Sequence, residues 1–156
     1  MPLTNALRKF AAVAALTLLT SAASAQQIQR KLIETGWDKP DTQRLRENLK
    51  QIEQTPFDGV LVNAIGKDDA GHAVSIRSTF SNKHWKLLWF NQCIDDLQVV
   101  HSKTLTDNFL TLGANPGDVD WFDDAGWKEI VDHFRIAAQI AKAGHLKGIH
   151  LDPEPY

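Results

Sequence analysis

The sequence predicts an α/β fold in which parallel strands alternate with helices. Short apolar runs of strand length recur along the chain, and the stretches between them carry apolar residues at helical spacing. The resulting series, strand, helix, strand, helix, strand, helix, strand, brings its strands parallel through right-handed crossovers.

The first strand is read in "KLIETGWD", residues 31–38, and Pro40 helps to break it. Asp41 is placed to cap a helix over "TQRLRENLKQIEQ", where Leu45, Leu49 and Ile52 form one apolar stripe on a charged cylinder. Pro56 follows, and "DGVLVNA", residues 58–64, is a second strand with the near-continuous apolar character of parallel sheets. Residues 65–81 are rich in Gly, Asp, Ser and Lys and read as a long loop carrying one short extended piece, "AVSIRSTF". Residues 85–102 read as a broken helix, with Trp89, Cys93, Leu97 and Val100 sharing a face. "DNFLTLGA", residues 107–114, is the third strand, and Asn115, Pro116 and Gly117 turn out of it. Asp124 is expected to cap the strongest helix, with Trp127, Ile130, Val131, Phe134, Ala137, Ala138 and Ala141 on its buried face and Gly144 beyond its end. "LKGIHL" supplies the fourth strand.

Two architectures fit this order, an open doubly wound sheet and a (β/α)8 barrel. A dinucleotide-binding sheet calls for a Gly-rich phosphate turn after its opening strand, and "TGWDKP" stands there instead.

Composition narrows the class. The 156 residues are 43% hydrophobic and 23% charged, as in a globular domain or part of a larger one. A net charge of -2 gives no reason to expect nucleic acid or an anionic membrane surface as partner. Residues 1–25 read as a secretory signal peptide: Arg8 and Lys9 precede the apolar "FAAVAALTLL", and Ala23-Ser24-Ala25 fits a cleavage site. The apolar run is too short to span a bilayer, so residues 26–156 are expected outside the cytoplasm, secreted or periplasmic, with no membrane attachment. Cys93 is the single cysteine, which excludes an intrachain disulfide and suits a buried structural thiol.

The chain end, "GIHLDPEPY", carries the chemistry. Side chains alternate along a strand, so His150, Asp152 and Glu154 share one face while Ile149 and Leu151 take the other. Paired carboxylates suit acid–base work, since a like charge raises the pKa of one partner and keeps it as a proton donor. The plainer reading is that both carboxylates solvate a strand terminus, with Pro153 and Pro155 stiffening the exit. A metal site is not expected: His150 and these carboxylates offer donors, but no helical His pair accompanies them, and His150 reads as an interior histidine. No Gly-x-Ser-x-Gly elbow is present, which disfavours an esterase.

From "KLIETGWD" through "TPFDGVLVN" and "VDWFDD" to "GIHLDPEPY", the sequence resembles the N-terminal half of a secreted, glycosidase-like bacterial (β/α)8 barrel. The resemblance covers nearly all of residues 30–156. In the large retaining clan of such barrels the acid/base Glu ends strand four in Asn-Glu-Pro. Glu154 and Pro155 match, while Pro153 replaces the Asn. Chitinase-like barrels end strand four in Asp-x-Glu, which Asp152 and Glu154 match without the preceding aspartates. The resemblance implies Glu154 as proton donor, Asp152 tuning or orienting it, a carbohydrate ligand and no cofactor. Trp37 and Trp121 are candidate stacking surfaces, and Asp38 and Asn63 candidate hydroxyl partners, whereas Trp85, Trp89 and Trp127 are expected in the core. Such a barrel needs about 250 residues, so the chain is expected to be truncated after strand four, its inactive portion belonging to a larger parent. The alternative is a non-catalytic carbohydrate-binding or scaffold barrel. The oligomeric state leaves no signature in the sequence.

Overall fold

A computed structural model describes residues 30–154. The predicted signal segment and Pro155 lie outside the described residues. The fold is mixed α/β around a four-stranded parallel sheet, whose strands are β1 (Ile33–Glu34), β2 (Gly59–Val62), β5 (Phe109–Gly113) and β6 (Gly148–Asp152). They lie side by side in chain order, β1-β2-β5-β6. These are the four strands expected, the first three trimmed at both ends and the fourth starting two residues later and running one residue further, to Asp152. The first shrinks most, because Gly36 and Pro40 leave few residues able to extend the ladder.

Alternation divides the sheet into two faces. Val60, Val62, Leu110 and Leu112 join Leu45, Phe90, Cys93, Leu97, Ala137 and Ile140 in the main core beneath the helices. Leu61 and Thr111, at the intervening positions, belong to the opposite face and are also buried. Asn108 ties the strands together at their N-terminal ends: its side-chain oxygen accepts from the Val60 N–H at 3.0 Å, its amide donates to the Leu105 carbonyl at 3.0 Å, and its own carbonyl accepts from the Lys147 N–H at 2.8 Å.

The first crossover begins as predicted, with the Asp41 carboxylate accepting from the Arg44 N–H at 2.8 Å. The single helix expected over residues 42–54 divides into α1 (Thr42–Glu47) and α2 (Leu49–Ile52). Asn48 is the cause: its side-chain amide donates to the Arg44 carbonyl, and its backbone leaves the helical region at φ -110°, ψ 16°.

The long loop of the second crossover contains an antiparallel hairpin, β3 (Ile65–Lys67) against β4 (Ala73–Ser75). Only Gly66 and Val74 are buried, one per strand, so the pattern is too short to announce itself. The Asp68 carboxylate closes the turn by accepting from the N–H groups of Ala70 and His72 and from Lys83 Nζ, and these bonds, that of Lys83 foremost, hold its pKa well below the usual carboxylate range. A 3-10 turn, Leu87–Phe90, then leads into α3 (Asn91–Gln98). Cys93 is a buried free thiol, as expected, and burial pushes its pKa up.

The third crossover is α4 (Asp124–Ala143). Its N-cap is Asp123 and not Asp124, with the Asp123 carboxylate accepting from the N–H groups of Ala125 and Gly126. The buried stripe runs through Ile130, His133, Ala137, Ile140 and Ala141, which leaves the expected core residues Val131 and Ala138 exposed. Gly144 closes the helix at φ -86°, outside the left-handed region, and His145 takes that conformation at φ 58°. Space decides Gly144, since a Cβ there would stand 2.5 Å from Leu97 Cδ1.

Candidate functional site

Parallel strands release the chain at a common edge, so the segments following β1, β2, β5 and β6 gather at the C-terminal end of the sheet. An open cleft of about 320 Å³ lies there. Leu61 of β2 contributes to its lining, His150 and Asp152 project from β6, and Glu154 follows on the outgoing chain. The turn after β1 adds Trp37 and Lys39. Arg77 arrives from the segment leaving the hairpin.

The placement of Arg77 can be traced residue by residue. Ile76 is fully buried, and its N–H donates to the Ala64 carbonyl at 2.8 Å, which anchors the start of the segment. Single bridges then join Ser78 to Ala114 and Phe80 to Pro116, laying the segment across the end of β5. Gly113 makes this crossing possible, because a Cβ at that position would stand 2.7 Å from the Arg77 carbonyl oxygen. Gly113 is also the register partner of Asp152, so the close crossing delivers Arg77 beside that carboxylate. Farther along, the segment is fastened to α4 by His133, whose Nδ1 and Nε2 each lie 2.8 Å from a backbone carbonyl, of Thr79 and Lys83. The imidazole stacks on Trp85 with centroids 3.9 Å apart.

Charge in the cleft centres on Asp152. Lys39 Nζ donates to its Oδ2 at 3.4 Å, and Arg77 Nη2 stands 3.8 Å from the same oxygen, beyond hydrogen-bonding range. The side chains are largely sheltered, with 20% of Asp152, 12% of Lys39 and 34% of Arg77 exposed. Burial pushes the Asp152 pKa up, but the Lys39 and Glu154 N–H hydrogen bonds and the charges of Lys39 and Arg77 outweigh it and hold the group below its ordinary value. Asp152 is therefore a carboxylate at neutral pH, an anchor for cations or hydroxyls and not a proton reservoir. Arg77 Nε is buried without an acceptor, a condition that costs about 1–3 kcal/mol for a buried donor.

The other predicted residues separate. Trp37 lines the cleft with 90% of its surface exposed, as a stacking platform requires. Asp38, its neighbour, points away: Arg44 Nη1 and Nη2 donate to its two oxygens at 2.5 and 2.6 Å in a groove behind β1. Asn63 bridges Asp41, and its side-chain oxygen accepts from Ser75 Oγ at 3.4 Å, which makes it a strut beside the cleft. Trp121 is exposed at the start of α4, packed edge-on against Trp127 at 5.1 Å, and does not line the cleft. His150, expected inside, is exposed on β6 because the strand stands at the sheet margin. Trp85 is buried and Trp89 half-buried, in line with a core role, while Trp127 is half-buried against Phe80.

Lys39 and Arg77 were not singled out from sequence. Lys39 lies two residues beyond Trp37 and so shares its side of an extended chain, a signal that was available. Arg77 lies in the long second crossover, where no local pattern points to strand β6. Among the described residues no group of His, Cys, Asp and Glu side chains is arranged to hold a metal ion. Compared with known protein families, curated proteins and solved structures, the chain matches none.

Proposed function

We propose that this chain forms the sugar-handling half of a secreted (β/α)8 carbohydrate-active protein, in which Glu154 is the proton donor and Asp152 the ionised group that orients it and the ligand. The observation that carries the reading is the cleft at the C-terminal ends of the parallel strands, where an exposed indole, Trp37, meets Asp152 and Glu154. Sugars present alternating apolar ring faces and hydroxyls, and an aromatic plane beside carboxylates and cations is complementary to both.

The strand order supports a barrel. In a doubly wound sheet the order reverses at a switch point, whereas β1-β2-β5-β6 runs in one direction, as strands entering a closed barrel do. Ile149 and Leu151 remain exposed on the helix-bearing face of β6, where a following helix of a barrel would cover them. The barrel reading predicts that the protein secreted by its native organism has about 250 residues. An intact mass matching residues 26–156 alone would overturn it.

Proton transfer by Glu154 is tested with the full-length secreted protein and its Glu154→Gln variant. Glycan hydrolysis is expected to fall about 10²–10⁴-fold while binding persists. Unchanged turnover would remove Glu154 from the chemistry. A binding module is the second reading, and the ion-paired state of Asp152 favours it, because a carboxylate held by Lys39 and Arg77 suits anchoring more than proton cycling. Binding without turnover in both proteins would establish that reading in place of the first.

A further inference from the structure

We propose that the cleft selects a sugar bearing a carboxylate, a uronic acid residue, and that Arg77 reads that carboxylate. The inference rests on the carbohydrate reading above and names its ligand class. Two cations, Lys39 and Arg77, converge on one acceptor, Asp152, and only Lys39 is within hydrogen-bonding distance of it. The Nε–Nη2 edge of a guanidinium is a planar two-pronged donor. In Arg77 the Nη2 prong stands 3.8 Å from Asp152, while Nε, without an acceptor, is closed off from solvent.

A hydroxyl entering this corner satisfies one donor, whereas the two oxygens of a carboxylate can take Arg77 Nη2 and Lys39 Nζ together and offset the surplus positive charge of the Lys39, Arg77 and Asp152 group. Glu154 balances the lining as a whole, so the preference comes from where the donors sit and not from a long-range field. The positions are built into the backbone. Gly113 admits the Arg77 segment, the His133 contacts fasten it downstream, and Trp37 in the same cleft supplies a surface for the ring that carries the acid.

The test is calorimetric titration of the full-length secreted protein with uronic acid oligosaccharides, each paired with its neutral counterpart. The uronate is expected to bind about tenfold more tightly, as a pair of charge-assisted hydrogen bonds warrants. Arg77→Met is expected to abolish that preference by weakening the uronate more than the neutral sugar, and Arg77→Lys to restore part of it. Equal affinity for the two sugars in the native protein, or a preference that survives in Arg77→Met, would overturn the proposal while leaving the carbohydrate reading standing. Failure of the natively folded protein to bind any member of the panel would overturn both.

Discussion

The His133→Ala variant is expected to lose about 2–5 kcal/mol of stability, a large part of what a domain of this size possesses. His133 is fully buried, and each ring nitrogen lies against a backbone carbonyl, of Thr79 and Lys83. Truncation removes the ring nitrogens that lie against these buried carbonyls and opens a void beside Trp85, which stacks on the ring. The loss is read as a lower midpoint of urea unfolding at unchanged slope. His133→Phe separates the contributions, because phenyl can keep the stack and most of the volume but donates nothing. A midpoint equal to the native one in His133→Phe would show that the hydrogen bonds contribute nothing. The effect should also reach the cleft, since the segment between Thr79 and Lys83 continues from Arg77; affinity for ligand should weaken in variants that remain folded.

Phe90→Ala is expected to cost about 3–5 kcal/mol. Phe90 is fully buried where the 3-10 turn enters α3, tilted against Trp85 at 5.7 Å. Gly66 of the hairpin packs so closely that a Cβ there would stand 2.9 Å from the Phe90 ring. The ring thus seals the junction of hairpin, α3 and sheet, and neighbours on rigid elements cannot collapse into the space it leaves. Calorimetric melting should show the loss directly, and Phe90→Leu should recover a good share of it. A cost below about 1 kcal/mol for Phe90→Ala, the size of an ordinary surface-to-core average, would show that the junction can repack.

Much of the sheet could be read from sequence because parallel strands are apolar on both faces, as the four buried residues of β2 are. The hairpin was hidden for the opposite reason: three-residue strands with one buried residue each, one of them a glycine, carry no period. The stripe of α4 was displaced because its central member is His133, a polar residue buried by two carbonyls that local sequence does not reveal. At the site, Trp37, Asp152 and Glu154 were legible from strand ends and alternation. Asp38 was misplaced by the same rule applied too loosely, since residues adjacent in an extended segment face opposite ways. Arg77 could not be found, because its approach depends on a missing Cβ at Gly113, 36 positions later in the chain.

Asn108 has a bearing on how the sheet comes together in time. Its hydrogen bond to Val60 spans 48 residues, and the pairing of β2 with β5 spans a loop of the same order. Closing a chain segment of that length before any reward is the slow kind of event in folding. The hairpin and α3 lie within that segment and draw on partners near in sequence, so they can compact it beforehand. The buried amide of Asn108 then finds its partners only in correct alignment, which makes a side chain remote from the cleft a checkpoint on the register that sets Leu61 beside Phe109 and Val62 beside Leu110.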